Sequence, residues 1–73
     1  MSATAETTAP TASVSTDTLF ERAVTEYKGY LDGFSDSFKD KCYARAEMLV
    51  YIIAIATGET LAQVAERVRT AAE

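Results

Sequence analysis

The longest unbroken apolar run in the chain reads Met48-Leu-Val-Tyr-Ile-Ile-Ala-Ile-Ala56. Its β-branched centre would suit a strand, but the flanking Met and Ala residues and the helical periodicity on both sides favour a helix. A helix that is apolar around its whole circumference needs cover on every side. The run therefore predicts a central helix against which the rest of the chain packs.

Start and stop signals on either side of this run predict three helices, over about residues 18–32, 36–57 and 60–72. Thr18-Leu-Phe-Glu21 and Thr60-Leu-Ala-Gln63 both have the spacing of a capping box. In such a box the two side chains satisfy backbone N–H groups that the first turn leaves free. We therefore expect the first helix to begin near Asp17 or Thr18 and the third at Thr60.

Serine and glycine mark the remaining helix ends. Ser35 or Ser37 is expected to cap the central helix, because a serine hydroxyl accepts hydrogen bonds from the first turn. Gly33 and Gly58 tolerate the left-handed conformation that ends many helices, so they are expected to terminate the first two. Gly29 lies within the first helix, where the lack of a side chain would allow another part of the chain to approach the helix backbone closely.

Each predicted helix has an apolar face and a polar one. The apolar positions of the first helix are Phe20, Ala23, Val24, Tyr27, Leu31 and Phe34, with Glu26 among the charged residues on the other side. The first half of the central helix carries Phe38, Cys42, Ala46 and Leu49. The third helix has a narrow seam of Leu61, Val64, Ala65, Val68 and Ala72.

The first sixteen residues differ from the rest in composition, being nearly all Ala, Thr and Ser. They contain no large aliphatic or aromatic run, so ordering them would cost entropy with little return. We expect a flexible tail over residues 1–16 and an all-α domain, a small three-helix bundle with a long central helix, over residues 17–73.

Charge and residue types restrict the function. The net charge is −4, and the seven basic residues are scattered among eleven acidic ones, whereas nucleic-acid binders cluster Lys and Arg. We therefore expect no nucleic-acid partner. No basic and apolar leader begins the chain, and no apolar run approaches the ~20 residues that cross a bilayer. These features predict a cytoplasmic protein without a membrane partner.

The sequence offers few groups for catalysis. It contains no histidine and one cysteine, which removes the usual general base, the common nitrogen ligand and any internal disulfide. Cys42 lies on the apolar stripe and is interpreted as a packing residue. Asp32, Asp36 and Asp40 bracket a predicted turn, where acids act as caps and dipole partners more often than as metal ligands. We expect no enzymatic activity, no cofactor and no metal.

Two short helices can cover two sides of a central helix but not three, so an apolar strip is expected on the second helix. Either this strip is exposed, or a second copy or another protein covers it; we favour cover. Tyrosine suits interfaces because it joins contact area to a polar tip, although the tyrosines could also form the rim of a core containing Phe20, Phe34 and Phe38. The candidate partner interface comprises Tyr27, Tyr30, Tyr43, Met48, Tyr51, Ile52 and Ile55.

The leading hypothesis is a non-enzymatic interaction protein (an adaptor, inhibitor or regulator) that binds a protein partner, forms a homodimer, or does both. Small acidic proteins of phages and mobile elements are similar in composition. One alternative is an accessory structural subunit of a larger assembly. Another is a transcriptional or anti-nuclease regulator. Residues 60–68 resemble the first helix of a bacterial helix-turn-helix domain, but no recognition helix follows, so we interpret them as an amphipathic pattern.

Overall fold

The computed structural model describes residues 14–73 and has three helices, with no strand in that range. Helix α1 spans Thr16–Asp32, α2 spans Asp36–Thr57 and α3 spans Leu61–Ala72. The predicted all-α bundle with a long central helix is confirmed. Most of the predicted flexible tail, residues 1–13, lies outside the described residues. Among residues 14–73, none of the helices combines the length and the hydrophobicity that a membrane crossing requires.

Helix α1 begins at Thr16, slightly before the predicted start near Asp17 or Thr18, because Ser15 caps it. The Ser15 hydroxyl accepts a hydrogen bond from the Thr18 backbone N–H at 3.1 Å, and the two hydroxyl oxygens lie 2.9 Å apart. Thr18 is therefore inside the first turn, and the predicted capping box from Thr18 to Glu21 is wrong. Both hydroxyl residues are good caps, so the residue pattern alone could not rank them.

Gly33 caps the end of α1 as predicted, but the left-handed conformation expected there is wrong, since its φ of −62° and ψ of 153° are extended. A glycine fits there because α1 ends very close to the start of α2. A Cβ at position 33 would lie 2.7 Å from the Gly29 carbonyl oxygen and 2.8 Å from side-chain carbons of Phe38 and Lys39. Close approach of the two helices, and not backbone handedness, is what favours glycine at this position.

The extended backbone after α1 carries Phe34 away from the bundle. Its side chain is 87% exposed and stacks on Phe38 with ring centroids 5.0 Å apart. The interpretation of Phe34 as a core residue is therefore wrong, and Leu31 near the same turn is exposed as well. Helical periodicity placed both on the apolar face, but α2 turns back before it can cover them.

The predicted ends of α2 and α3 are confirmed. The Ser35 hydroxyl accepts from the Phe38 N–H at 3.2 Å. Gly58 ends α2 with a left-handed φ of 78° and donates its N–H to the Ala54 carbonyl oxygen at 2.9 Å. Thr60 and Gln63 form a reciprocal capping box, with hydrogen bonds of 2.9 and 3.1 Å.

All three helices contribute to one small core. Its fully buried members are Ala23, Ile53, Ala54, Val64 and Val68. Leu19, Phe20, Val24, Tyr27, Leu49 and Val50 pack around these residues and are partly buried. Near the other end of the bundle Cys42 is buried against Gly29, as its place on the apolar stripe predicted. Small residues at these contacts let α1 and α2 pack closely.

Polar side chains attach the short helix α3 to the rest of the bundle. The Arg67 guanidinium lies 5.2 Å from the centroid of the Phe20 ring, which is a cation–π distance. Its Nη2 also lies 2.7 Å from an oxygen of Glu59 in the connection from α2. Arg67 therefore contacts both α1 and the α2–α3 connection, which helps to fix how α3 lies on them.

Candidate interaction surface

Helix α2 exposes a row of large apolar side chains on the face opposite its buried residues. Met48, Tyr51, Ile52 and Ile55 are between 40 and 67% exposed, whereas Ile53 is buried. Their spacings of three and four residues place the four on one side of the helix. We call these four residues the apolar strip. Helices α1 and α3 leave it uncovered, which confirms that two short helices cannot cover α2 on every side.

A groove between α2 and α3 adjoins the apolar strip. It has a volume of about 220 Å³ and is lined almost entirely by apolar and aromatic side chains. We call it the tyrosine groove; its lining residues are Tyr27, Tyr43, Ala46, Glu47, Val50, Tyr51, Leu61, Ala65 and Val68. Glu47 is the charged member of this lining. Tyr51 belongs to both features, so the strip and the groove form one continuous surface.

Contacts between tilted rings hold the tyrosines of this surface in place. Tyr30 packs against Tyr27 with ring centroids 5.4 Å apart, and against Tyr43 with centroids 4.9 Å apart. Both pairs are tilted, a favoured geometry for aromatic rings. Tyr43 thus extends over the groove from α2 while Tyr30, on α1, supports it. Such support lowers the entropy lost when the ring is ordered in a complex.

The structure places the seven predicted interface residues in four positions. Met48, Ile52 and Ile55 lie on the apolar strip, Tyr27 and Tyr43 line the groove, and Tyr51 lies at the border of the two. Tyr30 lies behind Tyr43 as its support.

Leu61 also belongs to this surface, although the sequence placed it in the buried seam of α3. It is 51% exposed and lines the tyrosine groove opposite Tyr51. Helical phase aligned it with Val64 and Val68, which are buried as predicted. Leu61 is the first residue of α3, and its position immediately after the Thr60 cap was the available signal that it lies at the margin of the contact.

A buried glutamate that pairs with two exposed arginines lies on the other side of the strip. Glu26, predicted on the solvent side of α1, is instead buried between α1 and α2, with its carboxylate oxygens 3.0 Å from the Nε atoms of Arg22 and Arg45. Burial raises the pKa of Glu26, but hydrogen bonds from Arg45 and Arg22 outweigh it and hold the pKa below its ordinary value. Both arginines are at least half exposed, so this cluster joins α1 to α2 and keeps its cations at the surface.

Potential ligand and nucleophile side chains were located within residues 14–73. No group of three or more potential metal ligands occurs within residues 14–73. The thiol of Cys42 is 2% exposed and faces Gly29, so it opens neither onto the strip nor onto the groove. The polar side chains among the groove's lining residues are Glu47 and the tyrosines.

Comparisons with protein-family models, with curated proteins and with solved structures found no match to this chain. The class to which it belongs is therefore the one that its fold defines, a small all-α three-helix bundle. Its distinguishing features are the apolar strip and the adjoining tyrosine groove, both formed by α2 with its neighbours.

Proposed function

We propose that this chain is a small, non-enzymatic protein–protein interaction module. In this proposal it acts in the cytoplasm as an adaptor, inhibitor or regulator, of the kind that phages and mobile elements encode. The observation that carries the proposal is the continuous surface formed by the apolar strip and the tyrosine groove. Large exposed apolar patches on small proteins are typical of interaction sites.

The composition of this surface supports binding to protein. Tyrosine and methionine are enriched in protein interfaces, where Tyr combines a large apolar area with a hydrogen-bonding tip. Here Tyr43 and Tyr51 border the groove and Met48 lies on the strip. The tilted contact of Tyr30 with Tyr43 orders the Tyr43 ring before a partner binds, which favours affinity.

The charge of the groove indicates the chemistry of its partner. Glu47 lies in an otherwise apolar lining and makes no ion pair among the described residues. An apolar side chain inserted between α2 and α3, followed by a Lys or Arg near Glu47, would match both features. We therefore propose a partner segment with an apolar anchor beside a basic residue. The chain's net charge of −4 favours the same kind of partner.

Selection of peptides from a random display library against the isolated chain tests this proposal. We expect enriched sequences that pair a large apolar residue with Lys or Arg. Their affinity should fall about tenfold or more on Glu47→Lys, since a favourable charge contact becomes repulsive. Glu21→Lys is the matched control, because Glu21 is exposed on α1 away from the groove. Failure to enrich any sequence, or equal loss in both variants, would refute the proposal.

A further inference from the structure

We infer that the apolar strip of α2 is covered by the strip of a second copy, with the two α2 helices antiparallel and the two-fold axis between Tyr51 and Ile52. This inference rests on the proposed function in so far as both assign the exposed face of α2 to protein contact. It adds the identity of one occupant and its geometry. It also leaves the tyrosine groove as the surface for a foreign partner.

The spacing of the strip is self-complementary. Met48 and Ile55 lie at equal distances along the chain on either side of the midpoint between Tyr51 and Ile52. An antiparallel two-fold pairing about that midpoint therefore places Met48 of one copy against Ile55 of the other, twice. The residues next to the axis meet their own equivalents, as an isologous contact requires.

Charge along the same face favours the antiparallel direction. Lys41 lies seven residues before Met48, two turns away on the same side of the helix, and makes no ion pair among the described residues. A parallel pair would place Lys41 beside Lys41. The antiparallel pair separates the two Lys41 residues by about 30 Å along the axis. It also directs each Lys41 toward the negative C-terminal end of the other α2, which has no basic residue in its last turn.

The area of the strip is sufficient for a modest dimer. Its four side chains are 40 to 67% exposed, and with the exposed Ala44 and the Lys41 stem they present an area on the order of the 600 Å² per partner at which stable interfaces begin. Two copies would bury about 1,200 Å², the lower limit of a stable, specific interface. A folded domain of fewer than 60 residues has a small core, so covering the strip would also stabilise each bundle. We expect dissociation in the micromolar range.

This pairing leaves the groove accessible. Tyr43 and Glu47 lie about a quarter turn around α2 from the strip, on the side that faces α3. Self-association and binding of a foreign segment therefore use different parts of one surface, joined at Tyr51. The dimer would present two grooves related by the two-fold axis, so it could hold two copies of a partner segment.

Sedimentation equilibrium over a concentration series tests whether the strip mediates association. The wild-type chain should be a dimer at high concentration, and Ile55→Asp should weaken dimerisation about a hundredfold, because the dimer contains the substituted contact twice. Phe34→Asp is the matched control, since Phe34 is more exposed than Ile55 but lies at the other end of the bundle. Circular dichroism of each variant confirms that the helices form. A monomeric wild type, or equal loss in both variants, would overturn the inference.

Cysteine cross-linking tests the direction of pairing independently. Tyr51→Cys and Ile52→Cys, prepared separately, should give covalent dimers with a short bis-maleimide in at least one case. Ser37→Cys lies on the same face but about 40 Å from its equivalent in an antiparallel pair, so it should remain unlinked. The wild type is the control because Cys42 is buried. Linked Ser37→Cys would indicate a parallel pair, and no linkage in any variant would exclude strip pairing.

Peptide binding in a strictly monomeric chain would refute the dimer alone and leave the proposed function intact.

Discussion

Replacing Gly29 by alanine tests how closely α1 and α2 approach each other. A Cβ at position 29 would lie 2.7 Å from the Cys42 sulfur, well inside van der Waals contact, and 3.5 Å from the Cys42 Cβ. Because Cys42 is 2% exposed, its sulfur has no room in solvent to move into. Alanine is favoured over glycine in a helix interior by about 1 kcal/mol, whereas overpacking costs about 1–3 kcal/mol. We expect Gly29→Ala to lower the free energy of unfolding by about 1 kcal/mol.

Removing the sulfur should reverse the sign of this effect. Cys42→Ala alone loses buried apolar contact and should cost about 1 kcal/mol. In the double variant the new Cβ meets the Cβ of residue 42 at 3.5 Å and a ring carbon of Phe38 at 3.6 Å, both ordinary contact distances. Alanine at position 29 then contributes its helix propensity without the clash. The double variant should be about as stable as the wild type, with a coupling free energy of about 2 kcal/mol between the two sites.

Urea denaturation of the four proteins, followed by circular dichroism under reducing conditions, measures this coupling. All four should be compared at one protein concentration, so that any self-association affects them equally. Equal m-values would show that the substitutions change stability and not the extent of unfolding. Additive effects of the two substitutions, within about 0.5 kcal/mol, would refute the close helix approach at Gly29.

Three further predictions concern charge and helix ends. Glu26→Gln should lower the free energy of unfolding by about 1–2 kcal/mol at neutral pH. The pKa of Glu26 is depressed in the folded state, so the difference in the free energy of unfolding between variant and wild type should persist above pH 4.5, the ordinary pKa, and shrink as the pH falls below it. A difference that stays constant down to about pH 3 would contradict the burial of an ionised carboxylate. Gly58→Ala should lower the free energy of unfolding by about 1 kcal/mol, and Gly58→Asn by clearly less, because asparagine tolerates a left-handed φ. Equal shifts of the urea midpoint in the two variants would argue against a left-handed cap at this position. Thr60→Ala should cost about 1 kcal/mol in the same measurement through loss of the capping box, with exposed Thr70→Ala near neutral as its control.

The exposed surface of α2 shows how much helical periodicity can predict. The sequence predicted an exposed apolar strip on α2, where Met48, Ile52 and Ile55 lie, because an all-apolar helix in a small domain has more apolar surface than two short helices can cover. It could not separate the strip from the groove, since that division depends on where α3 lies. The exposure of Leu61 and the supporting role of Tyr30 follow from the same placement.

Local chemistry was sufficient for the helices themselves. The residue pattern predicted three helices, a cap at Ser35 or Ser37, the end of the central helix at Gly58 and the capping box of Thr60 with Gln63, because each depends on residues within one or two turns. The presence of two possible capping residues produced the error at the start of α1. Ser15 and Thr18 offer the same capping hydroxyl, and only the complete helix shows which one is used.

Contacts between helices could not be obtained from the sequence in the same way. Glu26 has a polar side chain on a helix with an apolar face, yet it is buried, because Arg45 reaches it from nineteen positions further along the chain. Phe34 is apolar and yet exposed, because Gly33 turns the chain before α2 can cover it. Burial depends on which helices meet and at what angle, and residues distant in the sequence set both. Periodicity within one helix therefore predicts its faces, but the packing of α1 and α3 on α2 determines which face remains exposed.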